Sequence, residues 1–320
     1  MKLSNLFPLS VFPHDSKFDF MRLRWASATL SVILLVIAIG AMATKGFNFA
    51  LDFTGGIVTE LRFDKPADVD GVRQRLEQVG YPGAQVQTFG SGNDLLVRLQ
   101  PKDLAEGQTS HAADEVLKAA STAENPAHVL RSDSVGPQIG KELAQNGIYA
   151  MLFVIVGFLA YISFRFEWKF AVAAILATMH DIVVVAGWFA VTGHEFDLTV
   201  LAGVMSVMGY SINDTIVVFD RVRENFRGMR APAREILNAG INQTLSRTVI
   251  TSFVAFLTVL ALYMYGGGSL QGMAESQMIG IVVGTLSSIF VACPLLMWLG
   301  VSKQDLMPKA KDEAALARRP

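Results

Sequence analysis

The residues of this chain that could do chemistry are acids and bases set inside long apolar runs. Asp214 stands in Gly209-Tyr210-Ser211-Ile212-Asn213-Asp214-Thr215, with an apolar stretch on either side. An ionisable group at hydrocarbon depth costs roughly 2.5–3.5 kcal/mol on insertion scales, so it is expected to face a partner or a water-filled path. On a helix, Ser206, Tyr210, Asn213 and Asp214 share one side, at spacings of three and four. A surface facing lipid would not carry such a polar stripe. Arg247, in Gln243-Thr244-Leu245-Ser246-Arg247-Thr248, opens a later apolar run. An ion pair between Asp214 and Arg247 is geometrically feasible; the alternative is an interfacial Arg247 that extends to water. The third group is His180-Asp181, midway along another run. Adjacent helical residues point about 100° apart, so these two are expected to have separate partners. Each could relay a proton or make a satisfied polar contact between helices. Asp220, beside Arg221 and Arg223, is expected to be an interfacial ion-pair residue.

The chemistry these groups favour is proton exchange. Burial disfavours the charged form of a carboxyl and a nearby guanidinium favours it. An aspartate alternating between an arginine and a water wire binds and releases one proton per cycle. A unit charge crossing the membrane potential gains about 2.3 kcal/mol per 100 mV, enough to drive a conformational change.

Positioning such groups requires spans. Of 320 residues, 52% are hydrophobic and 17% charged, against about a quarter charged in soluble domains. Six runs approach the roughly 20 residues a crossing needs: Ala26–Thr44, Ile148–Phe164, Phe170–Thr192, Leu198–Phe219, Thr248–Tyr265 and Met278–Leu299. Lys and Arg cluster before the first run (Lys2, Lys17, Arg22, Arg24), between the second and third (Arg165, Lys169), after the fourth (five, from Arg221 to Arg234) and after the sixth (Lys303 to Arg319). The short loops 194–197 and 266–277 carry none. Positive charge stays on the cytoplasmic side, so both termini are expected there and the stretch between the first two spans outside. Ala41-Met42-Ala43 resembles a signal cleavage site, but the long run and the leader before it argue for a retained span. The predicted organisation is a cytoplasmic segment 1–25, a first span 26–45, an external domain 46–142, five further spans within 143–302 and a cytoplasmic tail 303–320. If the fourth span begins near Leu198, Asp214 lies about 24 Å inward, in the cytoplasmic half.

The external stretch holds 9 Lys/Arg against 14 Asp/Glu. With Cys293 the lone cysteine, no disulfide can form within the chain. Asp52-Phe53-Thr54-Gly55-Gly56 predicts a turn into a strand whose Ile57, Thr59, Leu61 and Phe63 share one face. A helix over Val69–Val79, capped by Asp68 and ended by Gly80, follows. Strands at Gln85–Phe89 and Leu95–Leu99, a helix around His111–Ala120 and a strand at Ala127–Val135 complete a β-α-β-β-α-β order, which predicts a ferredoxin-like α+β domain. Between spans four and five, Pro232 is expected to open a short helix through Asn238 and Gly240 to close it; its basic residues favour an anionic membrane face or, equally, mark a solvated cytoplasmic connector. The tail from Lys303 is expected to be disordered.

Several motifs fail. Gly136-Pro137-Gln138-Ile139-Gly140-Lys141-Glu142 has too short a spacer for a phosphate loop, and Glu142 where Ser or Thr is required. His194-Glu195 opens like a zinc-protease motif, yet Leu198 stands where the second His belongs. Asp181 and Asp214 could supply two facing protease carboxylates, but the G-x-G-D pattern is absent before Asp214. No enzyme, metal or cofactor is expected. Gly280 and Gly284 form a G-x-x-x-G, which favours close helix packing.

Asp52–Gly56 after the first span, Ser134-Val135-Gly136-Pro137 before the second, His180-Asp181, the run Gly209–Arg221 and the run Asn242–Thr248 together resemble the SecF family. That resemblance implies six helices with an external domain, similar to half of an RND-type transporter. It implies SecD as partner, and help to preproteins leaving the SecYEG channel after SecA has pushed them, at the expense of the proton gradient, in the bacterial inner membrane. It maps the proton-pathway acid onto Asp214 and its arginine onto Arg247. Membrane lipids are the other expected contact, and nucleic acid is not. The alternatives are an RND-like exporter half for small molecules or lipids, which needs an apolar cavity in the external domain, and a structural scaffold without a proton role.

Overall fold

The computed structural model describes residues 17–89, 92–99 and 112–306. In chain order it has α1 (Arg24–Thr44), β1 (Asn48–Phe49), the single turn α2 (Leu51–Thr54), β2 (Gly56–Phe63), α3 (Val69–Gln78), β3 (Gln85–Phe89), β4 (Asp94–Leu99), α4 (Ala112–Ala120) and β5 (Ala127–Val135). Then come α5 (Pro137–Arg165), α6 (Trp168–Thr192), β6 (Glu195–Phe196), α7 (Leu198–Gly228), α8 (Ala233–Tyr265), α9 (Gly268–Ser287), a π-helical turn (Ser288–Ala292) and α10 (Cys293–Trp298). Among the described residues, six helices are long and apolar enough to cross a membrane. The protein is a polytopic α-helical membrane protein with an inserted α+β unit.

Two compact units divide the chain: residues 1–48, 152–194 and 199–320 form one, and residues 49–151 with 195–198 the other. In the helical unit, α6, α7 and the last span are buried over about half their length, whereas α1, α5 and α8 turn most of their surface outward. The apolar core is centred on Phe170 and Phe219, whose rings meet edge to face at 5.4 Å, with the alanine-rich face of α6 (Ala173, Ala174, Ala177) and Leu237 and Leu296 around them. The α7–α9 seam is set by small residues. A side chain on Gly280 would come within 2.0 Å of Val207, and one on Gly203 would strike Ser276. Successive contacts Val200–Gly272, Gly203–Ser276, Val207–Gly280 and Ser211–Gly284 keep one register, as two parallel helices in close contact must.

The helices outrun the apolar runs. The short helix ending at Gly240 does not exist: α8 is continuous from Ala233 to Tyr265. Gly240 is no terminator, because its bare Cα lets Val222 of α7 approach, 2.6 Å from where a Cβ would sit. The polar residues beyond it are absorbed, with Thr244 donating to Gly240 O and Asn242 to Asn238 O and Phe18 O. The tail also begins ordered: Lys303–Leu306 is a 3-10 turn with Leu306 buried, and Asp305 pairs with Lys169 at 2.8 Å. The remainder of the expected disordered tail, most of the 1–25 segment and His111 lie outside the described residues.

The α+β unit has a four-stranded antiparallel sheet ordered β3-β4-β2-β5, the split arrangement that a β-α-β-β-α-β chain produces. Ile57, Thr59, Leu61 and Phe63 are buried on one face of it, and Val72, Leu76, Leu95, Val97 and Val116 join its apolar core. Asp68 caps α3 by accepting from Gly71 N at 3.1 Å, and Gly80 takes φ +105° after it. Arg75 closes α4 by donating to the carbonyls of Ala119 and Ala120. Gly55 (φ +69°) ends α2 and Gly56 (φ +118°) starts β2, conformations that exact a penalty from any residue with a Cβ. The would-be phosphate loop is instead the first turn of α5, with Gly140 packed on the Gly55 backbone.

Candidate functional site

Buried acids and hydroxyls of the helical unit gather in three polar clusters where α6, α7, α8 and the last span meet. Asp181 of α6 is fully enclosed. Its Oδ2 accepts from Ser211 Oγ of α7 and from Ser287 Oγ of α9, both at 2.6 Å. Its Oδ1 meets Nδ1 of His180 at 2.9 Å. His180 and Asp181 thus share no third group, and instead meet each other. With Oδ2 occupied by two serines, Oδ1 is left to the imidazole, and the neighbouring ring bends back to it. Nε2 of His180 is buried with no hydrogen-bond partner. Two hydroxyl donors at such lengths, with the imidazole beside Oδ1, satisfy this carboxyl well.

Asp214 of α7 is also buried, at 6% exposure, but makes one hydrogen bond, from Ser288 Oγ at 2.9 Å. Thr248 of α8 lies against the same carboxyl without reaching hydrogen-bond geometry. Ser288 has a second acceptor, the carbonyl of Thr285, also at 2.9 Å. One hydroxyl proton cannot serve both, so the Asp214 carboxyl and the Thr285 carbonyl compete for it. Ser288 begins the π-helical turn. That turn has a local cause: Pro294 lacks the N–H that would close the bond to Phe290, and the ladder widens ahead of it. Such turns often occur at functional positions.

The expected stripe on α7 splits. Asp214 faces inward, while Asn213, one residue earlier, is exposed on the surface of this chain. Tyr210 donates to Ser252 Oγ of α8 at 2.7 Å, and Ser252 meets Thr285 Oγ1 of α9 at 2.7 Å. A crevice of about 250 Å³ runs beside this hydroxyl chain, with Ser206, Tyr210, Thr258 and Gln277 on its walls. Arg247 forms no ion pair with Asp214. It is exposed, one residue before Thr248, close enough to act on the carboxyl through space. The cause is helical phase: Thr248 occupies the inward position of α8 and Arg247 the adjacent outward one. Asp220 pairs with Arg165 at 2.7 Å and reaches Arg223 at 3.5 Å, within a helix that continues to Gly228.

Sequence reasoning missed Ser211, Ser252, Thr285, Ser287 and Ser288. The consecutive Ser287-Ser288 in an otherwise apolar span was the available signal. The two halves of His194-Glu195 go to different partners: His194 Nδ1 lies 2.8 Å from Glu275, which also accepts from Trp188 Nε1 at 2.7 Å, and Glu195 pairs with Arg98. Among the described residues no group of His, Cys, Asp or Glu is placed to hold a metal ion.

Comparison with known proteins gives the same outline. The family described as protein export membrane protein SecD/SecF, C-terminal, matches residues 115–302, and the SecD/SecF GG motif matches residues 40–67. The protein translocase subunit SecF of Pseudomonas aeruginosa is 46% identical over 92% of this chain and 95% of its own length. The SecF of Escherichia coli O157:H7 is 41% identical over 93% of both. A fused SecDF of Brucella abortus is 35% identical over 97% of this chain, which spans 41% of that longer protein. The crystal structure of SecDF from Thermus thermophilus, a translocon-associated membrane protein, superposes with a TM-score of 0.81 at 39% identity, covering 90% of this chain and 39% of that one. The chain therefore belongs to the SecF family of protein-export membrane proteins, as a multi-pass subunit with a role in protein export.

Proposed function

We propose that this subunit couples proton movement to protein export, with Asp214 as the group that takes up and releases the proton. The observation that carries this reading is the unequal satisfaction of two buried acids. Asp181 is held by two serines with His180 beside it, so a hydroxyl that turns to its own backbone acceptor leaves another donor in place; Asp214 has one serine, and when that hydroxyl turns to the Thr285 carbonyl the carboxyl loses its hydrogen bond. Protonation at Asp214 releases Ser288 to the Thr285 carbonyl, and deprotonation draws it back. Each proton thus switches a contact between α7 and the last span. The Tyr210–Ser252–Thr285 chain and the crevice beside it form the approach on one side. Arg247 and Asn213 are assigned to the exposed face that a complementary membrane half completes, and Arg247 reaches the Asp214 carboxylate when the helices shift. His180, with its unpartnered buried Nε2, is a secondary proton acceptor joined to Asp181.

The complementary half is assigned to SecD, since relatives exist in which both are one chain. We place the stretch 46–142 on the extracytoplasmic side and both termini in the cytoplasm, from the distribution of Lys and Arg around the spans. The preprotein emerging from the SecYEG channel, after SecA has acted, is the substrate of the late step that this coupling assists. The relatives' names favour protein over small molecules or lipids as cargo. The test is preprotein export into membrane vesicles containing the complex. Asp214→Asn, at normal abundance and bound to its partner, abolishes the part of export that depends on the proton gradient; unimpaired gradient-dependent export by that variant refutes the assignment.

A further inference from the structure

The Asp214 carboxyl has a second hydroxyl beside it, that of Thr248 on α8, which makes no bond of its own. Its place follows from the packing of three helices within the helical unit. Tyr210 of α7, Ser252 of α8 and Thr285 of α9 meet in one polar layer, with both contacts at 2.7 Å. One turn on, the layer repeats. Helices α7 and α8 are antiparallel, and the contacts Tyr210–Ser252 and Val222–Gly240 share one register. In that register Asp214 stands opposite Thr248. The last span brings Ser288, three residues after Thr285, to the same carboxyl at 2.9 Å.

The two layers differ in one respect. Every hydroxyl of the first is engaged, whereas in the second Thr248 is 1% exposed and its Oγ1 is buried with no hydrogen-bond partner. Threonines in these helices ordinarily return their hydroxyl to a carbonyl of the turn before, as Thr178, Thr244, Thr251, Thr258 and Thr285 do. Thr248 does not use the Thr244 carbonyl in this way, although Ser252, one turn later, makes the equivalent bond to Thr248 O. A buried hydroxyl left without a bond is unfavourable, and the group it lies against is Asp214.

The chemistry of the carboxyl supplies a use for it. An ionised Asp214 only accepts, and Ser288 donates to it. Once it carries a proton it is a donor and needs an acceptor. The Ser288 hydroxyl then has the Thr285 carbonyl at 2.9 Å, and the free acceptor beside the carboxyl is Thr248 Oγ1. We propose, resting on the proton-coupling reading above, that Thr248 accepts the hydrogen bond of protonated Asp214, so that each proton moves the polar contact of α7 from the last span to α8. The hydroxyl hydrogen of Thr248 turns at the same time to the Thr244 carbonyl, as in the other threonines. The only covalent change is the O–H bond that the incoming proton forms on Asp214 and that breaks when it leaves. Thr215 Oγ1 is also buried without a partner, but it stands on α7 itself, and a bond to it would join no second helix.

Proton flux into liposomes holding the full chain with its SecD-type partner, together with thermal unfolding of the same complex, tests the assignment. Thr248→Val keeps the branched shape of the side chain and removes the hydroxyl. That hydroxyl has no bond to lose, so the unfolding midpoint stays within about 2 °C. Flux nevertheless falls about tenfold, because protonated Asp214 has lost its acceptor. Thr248→Ser holds flux within about twofold of the unaltered complex, and so does Thr244→Val, whose hydroxyl serves its own helix. Adding Ser288→Ala to Thr248→Val lowers flux no further than the worse single variant, since both hydroxyls serve one cycle. Unaltered flux in Thr248→Val overturns the proposal, as does a midpoint that drops along with the flux. Thr248→Ser no better than Thr248→Val overturns it, and so does an equal loss from Thr244→Val or a loss confined to Thr215→Val. Where Thr248→Val fails to accumulate, Thr248→Ala takes its place under the same criteria. Failure of the underlying reading looks different: flux is then indifferent to Asp214→Asn.

Discussion

Replacing Gly280 by alanine separates α7 from the last span, and the structure fixes how far. The added Cβ would lie 2.0 Å from Val207 Cγ2, 2.6 Å from Cγ1 and 2.8 Å from Cβ. Rotating Val207 offers no relief, because all three atoms are too near. Ordinary carbon contacts need about 3.5 Å, so the helices must part by roughly 1.5 Å locally. Two turns on, the Asp214–Ser288 bond at 2.9 Å cannot survive a comparable shift. Overpacking of this kind costs about 1–3 kcal/mol, and the lost bond about 1 kcal/mol more. Gly284, the other member of the same motif, is the internal control: its added Cβ would be 3.2 Å from Ser211 Cβ, a crowding that a few tenths of an ångström relieves. Thermal unfolding of the purified complex in detergent, with proton flux in liposomes, reads both effects. Gly280→Ala lowers the midpoint and the flux, Gly284→Ala does so far less, and Val207→Ala, which removes the 2.0 and 2.6 Å clashes but leaves Cβ at 2.8 Å, restores the first in part. Equal losses from the two glycines, or no partial rescue by Val207→Ala, refute the seam as the determinant of the Asp214 environment.

Two further outcomes concern the α+β unit. Gly55→Ala forces a side chain into φ +69° and destabilises that unit by about 1–2 kcal/mol, seen as faster limited proteolysis of folded complex; unchanged proteolysis contradicts the turn geometry. Burial, with help from the hydrogen bond to Glu115, pushes the Tyr81 hydroxyl up to about 12 from 10.0. A raised value in the folded state means the contribution is complete below pH 10 and is lost as pH rises toward 12. Tyr81→Phe removes that alkaline loss, measured by unfolding at graded pH.

How much of this was legible in sequence follows from where the determining forces act. Spans and the β-α-β-β-α-β order are local periodicities, so the six apolar runs, the Ile57–Phe63 alternation and the Asp68 cap could be named from the residues. Helix ends could not, since α8 continues through Gly240 because Val222 from another helix needs the space, and Asn242 finds carbonyls to serve. Asp214 and Asp181 stood out as charges in hydrocarbon, but their partners are serines, which hydropathy passes over. The outward phase of Arg247 depends on which neighbour Thr248 takes. Arg98 gave no sign of burial, as an arginine on an alternating strand ordinarily faces water.

Proton flux into liposomes containing the subunit and its SecD-type partner, driven by an imposed gradient, tests most directly whether Asp214 carries the proton. Asp214→Asn, which keeps size and a hydrogen bond to Ser288 but cannot ionise, is predicted to reduce flux to the level of empty liposomes, while Asp214→Glu retains a measurable part. Flux through Asp214→Asn equal to that of the unaltered complex would contradict the account.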